Sequence, residues 1–252
     1  MTGEKTEYGL IGFPLDHSWS ANWFNEKFIR EGDLNKSYHL FQLQDISEFP
    51  GLIASHPELR GLKVTIPYKE KVIPFLDELD STAGSIGAVN TILIERAGGK
   101  IHTRGFNTDA PGFLQSLSGL DLPGQALILG TGGASKAVAW ALTRLNIRFA
   151  CVSRQKRGKD ILSYQELTPD IISRYPFIVN TTPAGMYPEV DTCPSIPYHL
   201  LTGNHFLYDL VYNPGETLFI KQGKSMNAMT MNGLQMLFNQ AELSWKIFLS
   251  NG

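Results

Sequence analysis

The sequence is poor in cysteine, has almost no excess of charge of either sign and lacks a long hydrophobic run. Cys151 and Cys193 are its only cysteines; they form no CxxC pair and cannot staple a chain of 252 residues, which favours a reducing, cytoplasmic setting. The 22 Lys and Arg nearly balance the 24 Asp and Glu, which argues against nucleic acid or an anionic membrane as the main partner. No uncharged apolar run reaches the roughly 20 residues that span a bilayer, and the N-terminal MTGEKTEYGLIG does not resemble a signal peptide.

The rest of the sequence alternates short apolar runs with longer amphipathic ones, which is typical of an α/β protein. Strands are predicted at residues 8–12, 38–43, 61–66, 88–95, 100–105, 126–130, 148–153, 177–181 and 205–211. Helices are predicted at 20–30, directly after the strand at 126–130, and at 233–248. The turn Ala97-Gly-Gly99 predicts a hairpin. The stripe expected to be buried on the last helix consists of Leu234, Leu237, Phe238, Ala241, Trp245 and Phe248.

From residue 125 onward, the order of elements is the βαβ pattern of a doubly wound, Rossmann-type sheet. Gly130-Thr-Gly-Gly-Ala-Ser135 follows a predicted buried strand and opens a predicted helix. Backbone amides in such a turn can approach a pyrophosphate closely, because glycine has no Cβ and the helix N-terminus supplies free N–H groups. A plain structural turn would use the same residues, but the placement between strand and helix favours a nucleotide site.

The end of the next strand indicates which nucleotide is bound. An NAD site usually offers an acidic residue there, whereas this strand runs into Ser153-Arg-Gln-Lys-Arg157 without any acid. A guanidinium can clamp the 2′-phosphate of NADP, so Arg154 is the leading ligand and Lys156 or Arg157 would assist. The alternative is a solvated basic loop.

Several further motifs occur in a fixed order along nearly the whole chain. They are Gly12-Phe-Pro-Leu-Asp-His-Ser18-Trp-Ser20, Lys63-Val-Thr65-Ile-Pro-Tyr-Lys69, Gly87-Ala-Val-Asn90-Thr, Asn107-Thr-Asp109, Asn180-Thr-Thr-Pro-Ala-Gly-Met186, Tyr208-Asp-Leu-Val-Tyr212 and Asn232-Gly-Leu-Gln-Met-Leu-Phe-Asn-Gln240. Together with the glycine-rich turn, this order resembles the shikimate dehydrogenase family. The resemblance implies an NADP-dependent oxidoreductase that interconverts 3-dehydroshikimate and shikimate in the pathway to chorismate and aromatic amino acids.

In that family, the residues matching Lys69 and Asp109 form a polar pair beside the reacting carbon. Reduction of a ketone requires that its oxygen receive a proton. A lysine can donate this proton while a carboxylate holds the lysine in place. By itself, a lysine such as Lys69 is more often a solvated charge. Ser18 and Ser20 precede a predicted helix, where they could bind the substrate carboxylate or cap the helix.

The resemblance also implies the remaining site residues and the domain plan. Substrate contacts are expected from Ser18, Ser20, Thr65, Asn90, Tyr212 and Gln240, although Tyr212 could instead only pack. Cofactor contacts are expected from Gly130, Thr131, Gly132, Gly133, Ala134, Ser153, Arg154, Lys156, Arg157, Thr181, Leu210 and Gly233, and no metal is expected. Residues 1–107 and 232–252 would form the substrate-binding catalytic domain, with the last helix returning to it, and 108–231 the NADP-binding domain.

Some residues depart from the family pattern. Lys63 stands where Asn commonly precedes Val-Thr, and Gln155 replaces a Thr in the adenine-phosphate loop, which leaves the detailed 2′-phosphate contacts open. Two alternative functions stay open: a quinate/shikimate dehydrogenase of broader specificity, or a catalytically silent NADP-binding regulatory module. The chain is expected to act on a small molecule as a monomer or homodimer.

Overall fold

The computed structural model describes residues 5–15, 19–155 and 161–250. The chain divides into two compact units. The first unit comprises residues 1–108 and 241–252, and the second comprises residues 109–240. Each has its own six-stranded sheet.

The sheet of the first unit is mixed. Its elements are β1 (Thr6–Gly12), α1 (Trp19–Glu31), β2 (Lys36–Gln42), α2 (Phe49–Ser55), β3 (Leu59–Val64), β4 (Glu78–Leu79), α3 (Ser81–Ile86), β5 (Thr91–Ala97) and β6 (Lys100–Phe106). The strand order is β2-β1-β3-β5-β6-β4. β1 pairs in parallel with β2 and β3, whereas β5 is antiparallel to both β3 and β6. The predicted β5–β6 hairpin is confirmed, with Gly98 and Gly99 both at positive φ, the backbone that a tight hairpin turn requires.

The sheet of the second unit is entirely parallel. Its elements are α4 (Asp109–Ser116), β7 (Gln125–Leu129), α5 (Gly133–Arg144), β8 (Arg148–Ser153), β9 (Ile161–Ser163), α6 (Pro169–Arg174), β10 (Phe177–Asn180), β11 (Phe206–Asp209), α7 (Leu218–Ser225) and β12 (Met229–Met231). The strand order β12-β11-β10-β7-β8-β9 corresponds to 3-2-1-4-5-6 read from β9, which is the order of a dinucleotide-binding sheet. The predicted two-domain α/β fold with a Rossmann-type sheet is therefore confirmed. Short 3₁₀ turns lie at Ile46–Glu48, Ile73–Phe75, Tyr164–Glu166 and Tyr198–Leu200.

Five predicted strands extend too far at their carboxyl ends, and in four of them the extra segment contains a predicted site residue. The sequence pattern includes Thr65, Gly130, Thr181 and Leu210 in strands, but each lies just beyond the last paired residue of its strand. Their apolar or β-branched neighbours continue the strand pattern, while the backbone has already left the sheet. These four positions are among the predicted site residues, because the loops at the carboxyl ends of parallel strands are where α/β proteins bind ligands.

The last helix, α8 (Leu234–Leu249), lies where the sequence predicts it, but its buried face is partly different. Ala241, Trp245 and Phe248 are buried as expected, but Leu234 and Phe238 are exposed. Met236 and Gln240 are buried in their place. The first turns of α8 pack within the second unit, where Met236 joins the core of the parallel sheet and the Asn239 side chain donates to the Gly112 carbonyl. Trp245 and Phe248 join an aromatic core in the first unit.

Within the part of the chain that the structure describes, no helix combines the length and apolar character needed to cross a membrane.

Candidate functional site

The glycine-rich turn lies at the centre of the parallel sheet, where the strand order reverses between β7 and β10. Gly130 follows β7 and adopts a φ of +121°, a conformation that favours glycine. A Cβ at this position would lie 2.5 Å from the Thr181 hydroxyl oxygen, which follows β10. The same hydroxyl donates to the Leu129 carbonyl at 2.7 Å. The structure thus brings two predicted cofactor residues, Gly130 and Thr181, together at the position where a doubly wound sheet binds nucleotides.

The N-terminus of α5 is open to a ligand. Among the described residues, no side chain caps its first N–H groups, and the N-cap position is Gly132. Thr131 and Gly132 are exposed, and the Ser135 hydroxyl donates to the Gly132 carbonyl at 2.6 Å, within the turn itself. Free N–H groups and the positive end of the helix dipole are the features that bind a pyrophosphate, so the residues present fit a dinucleotide.

The end of β8 carries the residues predicted to select NADP. Ser153 is the last residue of β8 and is half-buried, and Arg154 is exposed. Burial raises the pKa of the Tyr164 phenol, and the positive charge of Arg154 partly offsets this rise. The Arg154 guanidinium therefore lies near the Tyr164 ring. Lys156 and Arg157 lie outside the described residues.

Two further predicted cofactor residues, Leu210 and Gly233, meet at the next strand end. A Cβ on Gly233 would lie 2.1 Å from the Leu210 carbonyl oxygen, and the Gly233 N–H donates to the Val211 carbonyl at 3.3 Å. Only a glycine permits this approach, because any side chain would collide with backbone. The contact ties the start of α8 to the loop after β11.

Sequence reasoning missed Asp209, a buried carboxyl beside this loop. Its side chain accepts hydrogen bonds from the Thr217 hydroxyl, the Val211 N–H at 3.0 Å and the Asn180 amide at 2.9 Å. Burial raises the pKa of Asp209 to about 6, although these hydrogen bonds act in the opposite direction. Asn180 and Asp209 both belong to motifs that the sequence displays, but no local pattern shows that their side chains meet.

In the first unit, the loop after β3 positions Thr65 and Lys69. The Thr65 N–H donates to the Ile11 carbonyl at 3.0 Å, and the Tyr68 N–H donates to the Thr65 carbonyl at 2.9 Å. The Tyr68 hydroxyl donates to the Leu43 carbonyl, and the Lys69 carbonyl accepts from the Val89 N–H at 2.7 Å. Thr65 and Lys69 are half-buried, so the loop is held by backbone contacts while both side chains stay partly accessible.

Asn90 lies in a buried polar cluster that we call the Asn90 network, made up of Lys63, Asn90, Thr91, Thr108 and Ser244. The Asn90 Oδ1 atom accepts from the Thr108 N–H at 2.7 Å and from the Thr91 hydroxyl at 3.1 Å. Its Nδ2 atom donates to the Thr108 hydroxyl oxygen at 2.9 Å. The Thr108 backbone N–H can only donate, so the Asn90 atom that faces it must be the amide oxygen. This contact fixes the orientation of the Asn90 amide.

Lys63 departs from the family pattern, but its sequence position does not reveal that it belongs to this network. Its side chain is only 4% exposed, and its Nζ atom donates to the hydroxyls of Thr91 and Thr108 at 3.2 Å and of Ser244 at 2.7 Å. Burial of an amino group in its charged form costs several kcal/mol, and charge-assisted hydrogen bonds of about 1.5–3 kcal/mol each offset it. The three hydroxyls therefore offset part of the cost of burying this lysine.

The remaining predicted site residues occupy helices and loops of either unit. Ser20 lies in the first turn of α1 and is half-buried; Ser18 lies outside the described residues. Asp109 is buried at the first position of α4, and Gln240 is buried on α8, where its Nε2 atom donates to the Leu237 carbonyl. Tyr212 is half-buried, and burial raises the pKa of its phenol. Half-burial is compatible with both roles considered for Tyr212, substrate contact and packing.

Comparison with known proteins assigns the chain to a family. A profile of the shikimate dehydrogenase substrate binding domain matches residues 10–92. The shikimate dehydrogenase (NADP(+)) of Carboxydothermus hydrogenoformans is 38% identical over 265 residues, which cover 98% of this chain and 92% of that relative.

Solved structures give the same result for the fold. Shikimate 5-dehydrogenase from Thermus thermophilus in complex with NADP(H) and shikimate matches with a TM-score of 0.82 and 29% identity, over 97% of this chain and 93% of that one. Quinate dehydrogenase from Corynebacterium glutamicum in complex with NAD matches with a TM-score of 0.84 and 26% identity. The match covers 98% of this chain and 94% of that one. The resemblance seen in the sequence motifs is confirmed, and this chain belongs to the shikimate dehydrogenase family.

Proposed function

We propose that this protein catalyses the reversible NADPH-dependent reduction of 3-dehydroshikimate to shikimate, a step toward chorismate and aromatic amino acids. The observation that carries the proposal is the glycine turn, with Gly130 against Thr181 at the reversal point of a parallel sheet, in a chain similar over nearly its full length to NADP-dependent shikimate dehydrogenases. In this proposal, residues 1–107 and 232–252 bind the substrate, and residues 108–231 bind NADP.

NADPH, when bound, supplies the hydride. Arg154 binds its 2′-phosphate, which the guanidinium can clamp with paired hydrogen bonds, and Lys156 or Arg157 assist. The open N-terminus of α5 receives the pyrophosphate. This assignment rests on an exposed arginine at a strand end that carries no acidic residue.

Lys69 donates the proton that the substrate oxygen requires, with Asp109 as its partner carboxylate. Ser18 and Ser20 bind the substrate carboxylate near the positive end of α1. The residues proposed to bind ring hydroxyls are Thr65, Asn90 and Gln240, with Tyr212 as a further contact. The half-buried position of Lys69 on a loop held by backbone hydrogen bonds supports its role, because a catalytic group must be both accessible and held in place.

A direct test follows the loss of NADPH absorbance with 3-dehydroshikimate as substrate. The wild type should turn over, and Lys69→Met should lower kcat by at least about a hundredfold while leaving NADPH affinity within about twofold. Lys71→Met is a matched control, because this neighbouring lysine is exposed and is not among the proposed site residues. Unaltered turnover in Lys69→Met would remove this residue from the mechanism.

The second candidate is a quinate/shikimate dehydrogenase of broader specificity, favoured by the similarity to a quinate dehydrogenase crystallised with NAD. Values of kcat/KM for shikimate and quinate, each with NADP and with NAD, separate the two candidates. Preference for quinate with NAD would overturn the main proposal. A chain that binds NADP but turns over neither substrate would be the silent regulatory module.

We also infer a reducing, cytoplasmic setting, since Cys151 and Cys193 are both free thiols. A monomer or homodimer is expected, and light scattering coupled to size-exclusion chromatography would decide between them.

A further inference from the structure

We propose that Lys63 is a positioning residue for the substrate, acting through the Asn90 network. This inference rests on the proposed function, because it concerns how the first unit presents Asn90 to a ring hydroxyl. Lys63 is the last-but-one residue of β3, two positions before Thr65, and its amino group contacts three hydroxyl groups of the network.

The first step is the direction of the hydrogen bonds. A lysine amino group in its charged form has donors and no acceptor, so each hydroxyl that contacts Lys63 must accept from it. A hydroxyl that accepts from Lys63 has its own proton free to donate elsewhere. Thr91 is 3.1 Å from Asn90 Oδ1 and 2.8 Å from the Ser244 hydroxyl oxygen, and Thr108 is 3.0 Å from the latter.

Donation by Lys63 therefore directs the three hydroxyl protons away from its amino group and toward the other members of the network. Asn90 Oδ1 is an acceptor within reach of both the Thr91 and the Thr108 hydroxyl, each at 3.1 Å. Oδ1 also accepts from the Thr108 backbone N–H at 2.7 Å, so the amide oxygen is committed to the protein interior.

Because Oδ1 is held by the protein, the amide nitrogen of Asn90 is the atom that can contact substrate. Nδ2 has two N–H groups, and one of them donates to the Thr108 hydroxyl oxygen. In the part of the chain that the structure describes, the hydrogen bonds of Asn90 leave its second N–H for another acceptor. Asn90 thus faces the substrate with an N–H donor. The substrate must therefore carry an oxygen that can accept this hydrogen bond at the matching ring position.

Lys63 also links segments that are distant in the chain. Its contact with Ser244 joins β3 to the end of α8 across 181 positions, and its contact with Thr108 joins β3 to the residue directly before Asp109. Loss of the amino group would release three hydroxyls together. The Thr108 backbone N–H would still hold Asn90 Oδ1, but the surrounding hydroxyls would lose their common donor, so we expect the Asn90 amide to be held less firmly and to bind substrate less well.

The test uses Lys63→Met, which keeps the length of the side chain and removes its donors. We expect the KM for 3-dehydroshikimate and the calorimetric Kd for shikimate to rise about tenfold, as for the loss of one well-oriented hydrogen bond. The KM for NADPH should stay within about twofold. Lys27→Met is the matched control, because Lys27 is also a buried lysine of the first unit but pairs with Glu31 and Glu242. The control should leave the KM for 3-dehydroshikimate unchanged.

A double variant distinguishes positioning from a general structural effect. If Lys63 acts through Asn90, then Lys63→Met combined with Asn90→Ala should raise KM no further than Asn90→Ala alone. Should Lys63→Met fail to fold, Ser244→Ala removes the nearest acceptor and should show a smaller rise in KM with the same lack of additivity. An unchanged KM in the foldable variant, multiplied effects in the double variant, or an equal rise in the Lys27 control would each overturn the inference. Absence of turnover in the wild type would instead refute the proposed function.

Discussion

Replacing Asp209 by asparagine should stabilise the protein progressively, relative to the wild type, as the pH rises from about 4.5 to about 7.5. Asp209 is fully buried at the end of β11. Asparagine keeps its size and one carbonyl oxygen, which can still accept from the Val211 N–H and the Asn180 amide. Its amide nitrogen can donate to the Thr217 hydroxyl oxygen. The substitution therefore removes the titration while retaining the packing.

The magnitude follows from the raised pKa of this carboxyl. Burial moves the pKa from 3.8 to about 6 and outweighs the hydrogen bonds that would lower it. A carboxyl with a higher pKa in the folded state contributes stability that is complete below the unfolded pKa. That contribution is lost as the pH rises through the folded pKa. The full effect is about 3 kcal/mol, of which about 2 kcal/mol falls between about pH 4.5 and about pH 7.5.

The assay is urea denaturation of both proteins at a series of pH values. The quantity of interest is the difference in unfolding free energy between variant and wild type, because titration of all other groups cancels in it. Asp77→Asn serves as the control. Hydrogen bonds from the Thr103 N–H and hydroxyl lower the pKa of Asp77 from an already acidic value, so most of its titration lies below this pH range. Its difference curve should be flat.

A flat or falling difference curve for Asp209→Asn would refute the reasoning. Either result would mean that Asp209 is ionised in the folded protein, and that its three hydrogen bonds stabilise the carboxylate at least as much as burial penalises it.

Three further predictions concern the cofactor site and the cores. Arg154→Ala should weaken NADPH binding at least about tenfold and NADH binding by less than about twofold, measured as Kd by fluorescence titration; equal losses would contradict a 2′-phosphate contact. Gly233→Ala should cost about 1–3 kcal/mol of unfolding free energy in urea, because its Cβ would press on the Leu210 carbonyl; a neutral effect would mean that α8 can shift without penalty. Phe248→Ala should cost about 3–5 kcal/mol, since this ring is 4% exposed and covers Gly61; a loss below about 1 kcal/mol would show that the end of α8 contributes little to the first unit.

Much of the fold could be predicted because its signals are local. Gly98 and Gly99 predict a hairpin from two adjacent residues, and the structure has both at positive φ. Gly130 is recognisable in the same way, as a glycine that ends an apolar run and precedes a helix. The exposure of Leu234 and Phe238 was not predictable from helical spacing, since spacing shows which residues share a face and not where that face is covered.

The sequence by itself determined the α/β class, the hairpin, the glycine turn and the acid-free end of β8, because each depends on residues that are neighbours in the chain. The tertiary structure alone decided that Gly130 lies against Thr181, that Asp209 is buried among three donors, and that Lys63 reaches Ser244 across 181 positions. Such contacts depend on the strand order and on the packing of α8. These are set by burial summed over the whole chain, which no local pattern encodes.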